Sequence, residues 1–153
     1  MRDDEFIIYK RRLIMTPKEE CEALLNHILT ITEEFIAKNK EFYPIGMVLK
    51  NDDTVSFTAT YDGDEFPESD EIIKGITEAH TNMADSNEIK ASAIAWNASI
   101  TNDSGEKSDA IVVSLEHKDN YSVIIGEPYS ITPLNEIRYE PIFAQKGKNN
   151  IWK

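Results

Sequence analysis

The chain has one cysteine, six scattered glycines, three histidines and few cations, and each shortage excludes something. The lone Cys21 cannot form an internal disulfide and fits a reducing compartment. No apolar run approaches the ~18 residues that span a bilayer, so no membrane association is expected. Met1-Arg2-Asp3-Asp4-Glu5 has no basic region leading into an apolar one, so no secretory signal is expected and the location reads as cytoplasmic. The glycines match neither a phosphate loop nor a dinucleotide fingerprint, and no Gly-x-Ser-x-Gly elbow is present. Positive charge is scarce: 16 Lys and Arg face 28 Asp and Glu, for a net charge of −12. Such a chain repels phosphate backbones. The groupings Lys10-Arg11-Arg12 and Lys146/Lys148 are not interleaved with aromatics in the manner of a single-strand binder. No nucleic-acid partner is expected, whereas a basic protein would be steered toward the surface.

What is present describes one domain. A chain of 153 residues buries roughly 70% of its unfolded surface in a single core. Residues 1–15 carry four basic and three acidic side chains, unlike the rest, and read as an N-terminal extension to a domain over 16–153. Thr16-Pro17-Lys18-Glu19 is a helix start, with threonine able to cap the Glu19 amide and proline at the first helical position. Cys21, Leu24, Leu25, Ile28, Ile31 and Phe35 then recur at helical spacing to about Asn39, with Glu20, Asn26, Glu33, Glu34 and Lys38 opposite.

A hairpin follows over 42–61, turning at Asn51-Asp52-Asp53. Val55, Phe57, Ala59 and Tyr61 form its buried face, and Thr54, Ser56, Thr58 and Thr60 a face that is solvated or covered by something polar. A second helix is expected over 69–85, with Ile72, Ile73, Ile76, Ala79 and Met83 on one side. Ile89 to Thr101 is the longest strand. Its row Ala91, Ala93, Ala95 and Asn97 admits a close helix, and Ile94, Trp96, Ala98 and Ile100 lie opposite. Strands over 110–117 and 121–126 join through Lys118-Asp119-Asn120. The tail, with Ile137, Tyr139, Ile142, Phe143 and Ile151-Trp152, reads as a last strand or short helix covering an edge. The order α-β-β-α-β-β-β implies an α+β domain, an antiparallel sheet of about five strands with two helices on one face. That order is shared with profilin-like and roadblock-like modules, a likeness of fold alone.

The unusual chemistry lies at the acidic corner before the second helix. Asp62, Asp64, Glu65, Glu68, Asp70 and Glu71 are six carboxylates in ten residues with no base among them. Such density suits a hard cation, but the spacing fails the EF-hand loop, and no metal or other cofactor is expected. Acidic residues also belong at a helix N-terminus, where the dipole favours them, and Asp-Gly is a routine turn. With the aromatic anchors Tyr61 and Phe66, the corner supplies a candidate partner-binding set of Tyr61, Asp62, Asp64, Glu65, Phe66 and Glu68.

Elsewhere the structural reading is the stronger one. His27, His80 and His117 show neither metal-ligand spacing nor a nucleophile beside them, and Glu116 and His117 must point to opposite faces. Cys21, flanked by Glu20 and Glu22, has its thiolate suppressed and belongs to the core. No catalytic residue is assigned. Trp96, Trp152, Tyr43, Tyr61 and Phe66 could line a pocket, and a sheet face left open at Trp96 would serve a homodimer or a partner.

Phe42-Tyr43-Pro44-x-Gly46, Tyr61-Asp62-Gly63-Asp64-Glu65-x-Pro67, Lys107-Ser108-Asp109-Ala110-Ile111 and Leu115-Glu116-His117 together resemble a set of small uncharacterised bacterial proteins, over about residues 20 to 145. The resemblance implies a compact α+β cytoplasmic bacterial protein with no assigned reaction and no catalytic residue to carry over. The leading functional expectation is a non-catalytic interaction module, such as an immunity or inhibitor protein for a basic toxin. The alternatives are a small-molecule-binding or regulatory module of profilin-like type, and a carboxylate enzyme, with or without a metal.

Overall fold

The computed structural model describes residues 15–58, 68–101 and 104–153. Helix α1 spans Pro17–Asn39 and opens on the expected capping box: Glu19 N–H donates to Thr16 Oγ1, and the Glu19 carboxylate takes the Thr16 amide. It ends at Lys40, a left-handed C-cap whose amide donates to Ile36 O. Strands β1 (Ile45–Lys50) and β2 (Val55–Thr58) follow, then α2 (Ser69–Asp85) and β3 (Ile89–Thr101). After these come β4 (Lys107–His117), β5 (Tyr121–Ile131), β6 (Ile137–Tyr139) and β7 (Phe143–Lys146). All pairings are antiparallel, in one seven-stranded sheet of order β2-β1-β3-β4-β5-β6, with β7 also on β5. The α+β class holds, and the sheet exceeds the expected five strands because the tail supplies β6 and β7 along β5. The part of the expected first hairpin beyond Thr58 lies outside the described residues.

One expectation is corrected. The helices do not share a face. Residues alternate across a strand, so the alanine row of β3 and its Ile94–Trp96 row look in opposite directions. Ala91, Ala93 and Ala95 join α1 (Cys21, Leu24, Leu25, Ile28, Ile36) in the main core, together with Met47, Val113, Leu115 and Ile125. Ile94 and Trp96 pack instead against Ile72 and Ile76 of α2 and against Ile151 and Trp152 of the tail. A strand apolar in both rows is one buried on both faces.

Three smaller corrections follow from the same geometry. The buried stripe of α2 runs through Ile72, Ile76 and His80, displacing Ala79 and Met83 to partial burial. Phe57, expected inside, is 50% exposed, because β2 is the edge strand of the sheet. Glu20, assigned by helical spacing to the solvated side of α1, is buried. Among the described residues no helix is long and apolar enough to cross a membrane.

Candidate functional site

Three polar constellations lie inside or beside this frame. The first is His80, fully buried between α2 and the sheet. Its Nε2 is 2.6 Å from Thr58 Oγ1 and its Nδ1 2.7 Å from Ser92 Oγ, so one hydroxyl donates and the other accepts. No cation-stabilising carboxylate touches it in the described contacts, and burial lowers its pKa from 6.5 to about 4. A base between two hydroxyls has the ingredients of nucleophile activation. Here, however, Ser92 and His80 are both sealed from solvent, so the constellation acts as a polar fastener for α2.

A stability prediction follows from this burial. The unfolded chain binds a proton at His80 near pH 6.5, and the folded chain only near pH 4. The stability gained from keeping the ring neutral is therefore complete above pH 6.5 and is lost as pH falls through that window, by about 3 kcal/mol in all. Urea unfolding at stepped pH, with the His80 ring followed by NMR, should show that ring holding neutral to near pH 4. A His80 that titrates at its ordinary value in the folded protein would contradict the assignment.

The second constellation joins α1 to the strand ends. Glu20 Oε1 lies 3.1 Å from His117 Nε2, and Glu20 Oε2 lies 2.7 Å from Lys90 Nζ, which also reaches Asp53 at 2.5 Å. The Asp119 amide donates to His117 Nδ1. That bond makes Nδ1 the acceptor and Nε2–H the donor to Glu20. Burial opposes the charge on Lys90, but its bonds to Asp53 and Glu20 outweigh burial and raise its pKa. Neighbouring Cys21 is pushed up to about 12 by burial first and then by Glu20, Glu116 and Glu22, as befits an inert core thiol. On the opposite face, as strand alternation requires, Glu116 accepts from the amides of Asn150, Ile151 and Trp152 and clamps the tail. Both groups serve the architecture.

The third constellation is open to solvent. A groove of about 490 Å³ runs between the C-terminal half of α1 and the β5–β6 turn. Thr30, Glu33, Glu34, Ala37 and the cap Lys40 form one wall, and Asn135, Ile137 and Tyr139 the other. Odd-numbered residues of β5 face α1, as Ile125 and Tyr129 show, which places Glu127 between them on the α1 side of the sheet. Oε1 of Glu127 is shut off from solvent and meets no hydrogen-bond partner among the described residues. Burial, and then Glu33, raise the Glu127 pKa from 4.5 to about 8. Burial, Glu33, Glu127 and Tyr129 likewise push Tyr139 to about 12. The Tyr129 and Tyr139 rings lie 6.1 Å apart, and Tyr129 Oη accepts from Asn97 Nδ2 at 2.7 Å. Exposed apolar side chains rim this wall: Ile131, Tyr139 and above all Leu134, 81% exposed on the turn.

Of the sequence-derived partner set, Glu68 alone falls within the described residues. It occupies the N-cap position of α2, exposed and without a side-chain cap bond, ahead of Asp70 and Glu71 in the first turn. Tyr61, Asp62, Asp64, Glu65 and Phe66 lie outside them. Trp96 packs against the tail and α2, so that sheet face is not left open. Among the described residues no group of three or more His, Cys, Asp or Glu could hold a metal ion. Sequence reasoning missed the Glu33–Glu127 pair. The only local signal was a glutamate inside an apolar strand, Ile124-Ile125-Gly126-Glu127.

Fold and site together define an acidic α+β protein with a helix on each face of an antiparallel sheet and, at one sheet edge, a groove walled by Glu33 and Glu34. No family model matches the chain, and no curated protein or solved structure matches it significantly.

Proposed function

We propose that this chain is a non-catalytic protein-interaction module for a basic protein, of the kind an immunity or inhibitor protein offers a basic toxin. The observation that carries the reading is the groove, where Glu33 and Glu34 face Ile137 and Tyr139, with exposed Leu134 on the adjoining turn, on a chain of net charge −12. Apolar exposure beside a net negative charge, two glutamates against the single Lys40, is what a cationic, partly apolar partner complements. The resemblance to small bacterial proteins without an assigned reaction is compatible with a binding role. The acidic corner from Tyr61 to Glu68 is the second surface the charge favours.

The test is capture from the native host at low and high salt, followed by mixing with the recovered protein. The expected result is a basic partner that dissociates as salt rises and whose own activity the chain suppresses. Failure to recover any salt-sensitive basic partner would sink the reading.

One observation favours a second reading, a carboxylate enzyme. The Glu127 carboxyl, raised to about 8 by burial and then by Glu33 of the groove wall, is the kind of acid held protonated near neutral pH that acid–base hydrolysis uses. Glu127→Gln would abolish such an activity.

A further inference from the structure

The sheet ends on a strand, β7, whose backbone and charge pattern match those of a second copy of itself. We propose that the chain forms a homodimer by antiparallel pairing of β7 with the β7 of another copy, about a two-fold axis at Ala144, so that one sheet continues into the next. This inference goes beyond the binding role proposed above and does not depend on it, since β7 contributes no residue to the groove.

Among the described residues β7 pairs with β5 alone and has no strand on its outer side. Backbone groups alternate in direction along a strand, so the bonds already made fix which groups are left over. Gly147 donates its amide to Ser122 O. Counting by twos from Gly147, Gln145 and Phe143 also face β5, whereas Ala144 and Lys146 turn their N–H and C=O groups outward. Proteins blunt such edges with prolines, bulges and lysines. Here Pro141 and the bulge both lie ahead of β7, where four steps from Tyr139 to Phe143 match three from Gly126 to Tyr129. All four residues of β7 are exposed, and apolar Ile142 and Phe143 stand open at its start, the Phe143 ring held over Gly126.

Charge makes a second copy the occupant. Residues 137–153 carry four cations and one carboxylate in a chain of net charge −12, so two copies meet here without the repulsion of their acidic surfaces. The pattern is also self-complementary. With the axis at Ala144, each Ala144 exchanges N–H···O bonds with its copy, Lys146 lies opposite Ile142, and Glu140 lies opposite Lys148, each pair occurring twice by symmetry. Moving the axis to Phe143 would set Arg138 against Lys148, and moving it to Gln145 would leave Glu140 with no cation opposite. The charges therefore select one register.

Sedimentation equilibrium of the full chain between about 1 μM and about 1 mM should show twice the chain mass at the upper end and the monomer on dilution. Exchange of the Ala144 and Lys146 amides should slow in step with dimer formation, while Phe143 and Gln145, bonded to β5, stay protected throughout. Ala144→Pro removes an outward N–H and spares those facing β5, so it should give a folded monomer. Glu140→Lys sets like charges opposite each other and should weaken the dimer on the order of tenfold. Glu140→Lys/Lys148→Glu should restore it. Swapped and wild-type chains, when mixed, should each pair only with their own kind, because every cross pair between them is a like-charge pair. Both charge variants change exposed side chains, so folding is not at stake. A wild-type chain that stays monomeric to about 1 mM would overturn the proposal, whether or not the edge accepts a foreign strand. A dimer that survives both Ala144→Pro and Glu140→Lys would also overturn it, and would move the contact to another surface.

Discussion

Glu116→Ala should lower stability by about 3 kcal/mol and release the C-terminal tail. Glu116 is 3% exposed, and its two oxygens hold the amides of Asn150 at 3.0 Å, Ile151 at 3.0 Å and Trp152 at 3.4 Å. Hydrogen bonds to an ionised group are worth about 1.5–3 kcal/mol each, and these three are shared by one residue. Once the carboxylate is gone, the tail amides prefer water, and Ile151 leaves the cluster it forms with Ile72, Ile76 and Ile94. Burial of one such isoleucine accounts for about 2 kcal/mol of the effect. For a domain of this size the melting temperature should fall by about 10 °C. Trp152 emission should shift to the red before global unfolding. Glu116→Gln, which keeps an acceptor oxygen, should cost about half as much. An alanine variant that melts with the wild type, its tail still protected from hydrogen exchange, would show that the clamp contributes nothing.

Gly46→Ala should cost about 3 kcal/mol, because there is no room for a single methyl. A Cβ built on Gly46 would lie 2.5 Å from Thr58 Oγ1, 2.7 Å from Ile76 Cγ2 and 2.8 Å from His80 Nε2. The β1 backbone cannot retreat, since Gly46 is opposite Thr58 on one side and Ile94 on the other. Thr58 could rotate away only by abandoning His80 Nε2, which has no other partner among the described residues. The methyl therefore forces either overpacking, about 1–3 kcal/mol, or an unmade buried hydrogen bond of similar cost. Thr58→Ala makes space at the same spot, so the double variant should be more stable than the sum of the single effects by about 1 kcal/mol or more. Strict additivity in chemical unfolding would show that the two side chains do not compete for that volume.

Much of the frame was legible from local rules. The capping box fixed the start of α1, and the bounds of α2 and β3 fell where periodicity placed them, because short-range propensity and pattern agreed there. The two faces were harder. The alanine row of β3 announces one close helix, but the opposite Ile94–Trp96 row is equally apolar, and only the second cover makes sense of both. The polar pairings were not legible at all. Glu20 meets His117 across 97 positions, and no pattern in either segment encodes that meeting. Glu127 and Glu33 are likewise brought together only by the register of β5 beneath α1. Gly46 carried a usable signal, since a glycine inside an apolar strand marks close approach of another group.

The central claim is that a basic protein docks on the groove walled by Glu33 and Glu34 at the α1–β6 edge. It is tested most directly by the affinity of the recovered partner for the charge-reversed variant Glu33→Lys/Glu34→Lys, compared with wild type and with Asp64→Lys/Glu65→Lys. The groove reversal should weaken binding on the order of a hundredfold, about 2.7 kcal/mol, and the corner reversal far less. Wild-type affinity in the groove variant, with binding lost in the corner variant, would contradict the account and return the docking surface to the acidic corner.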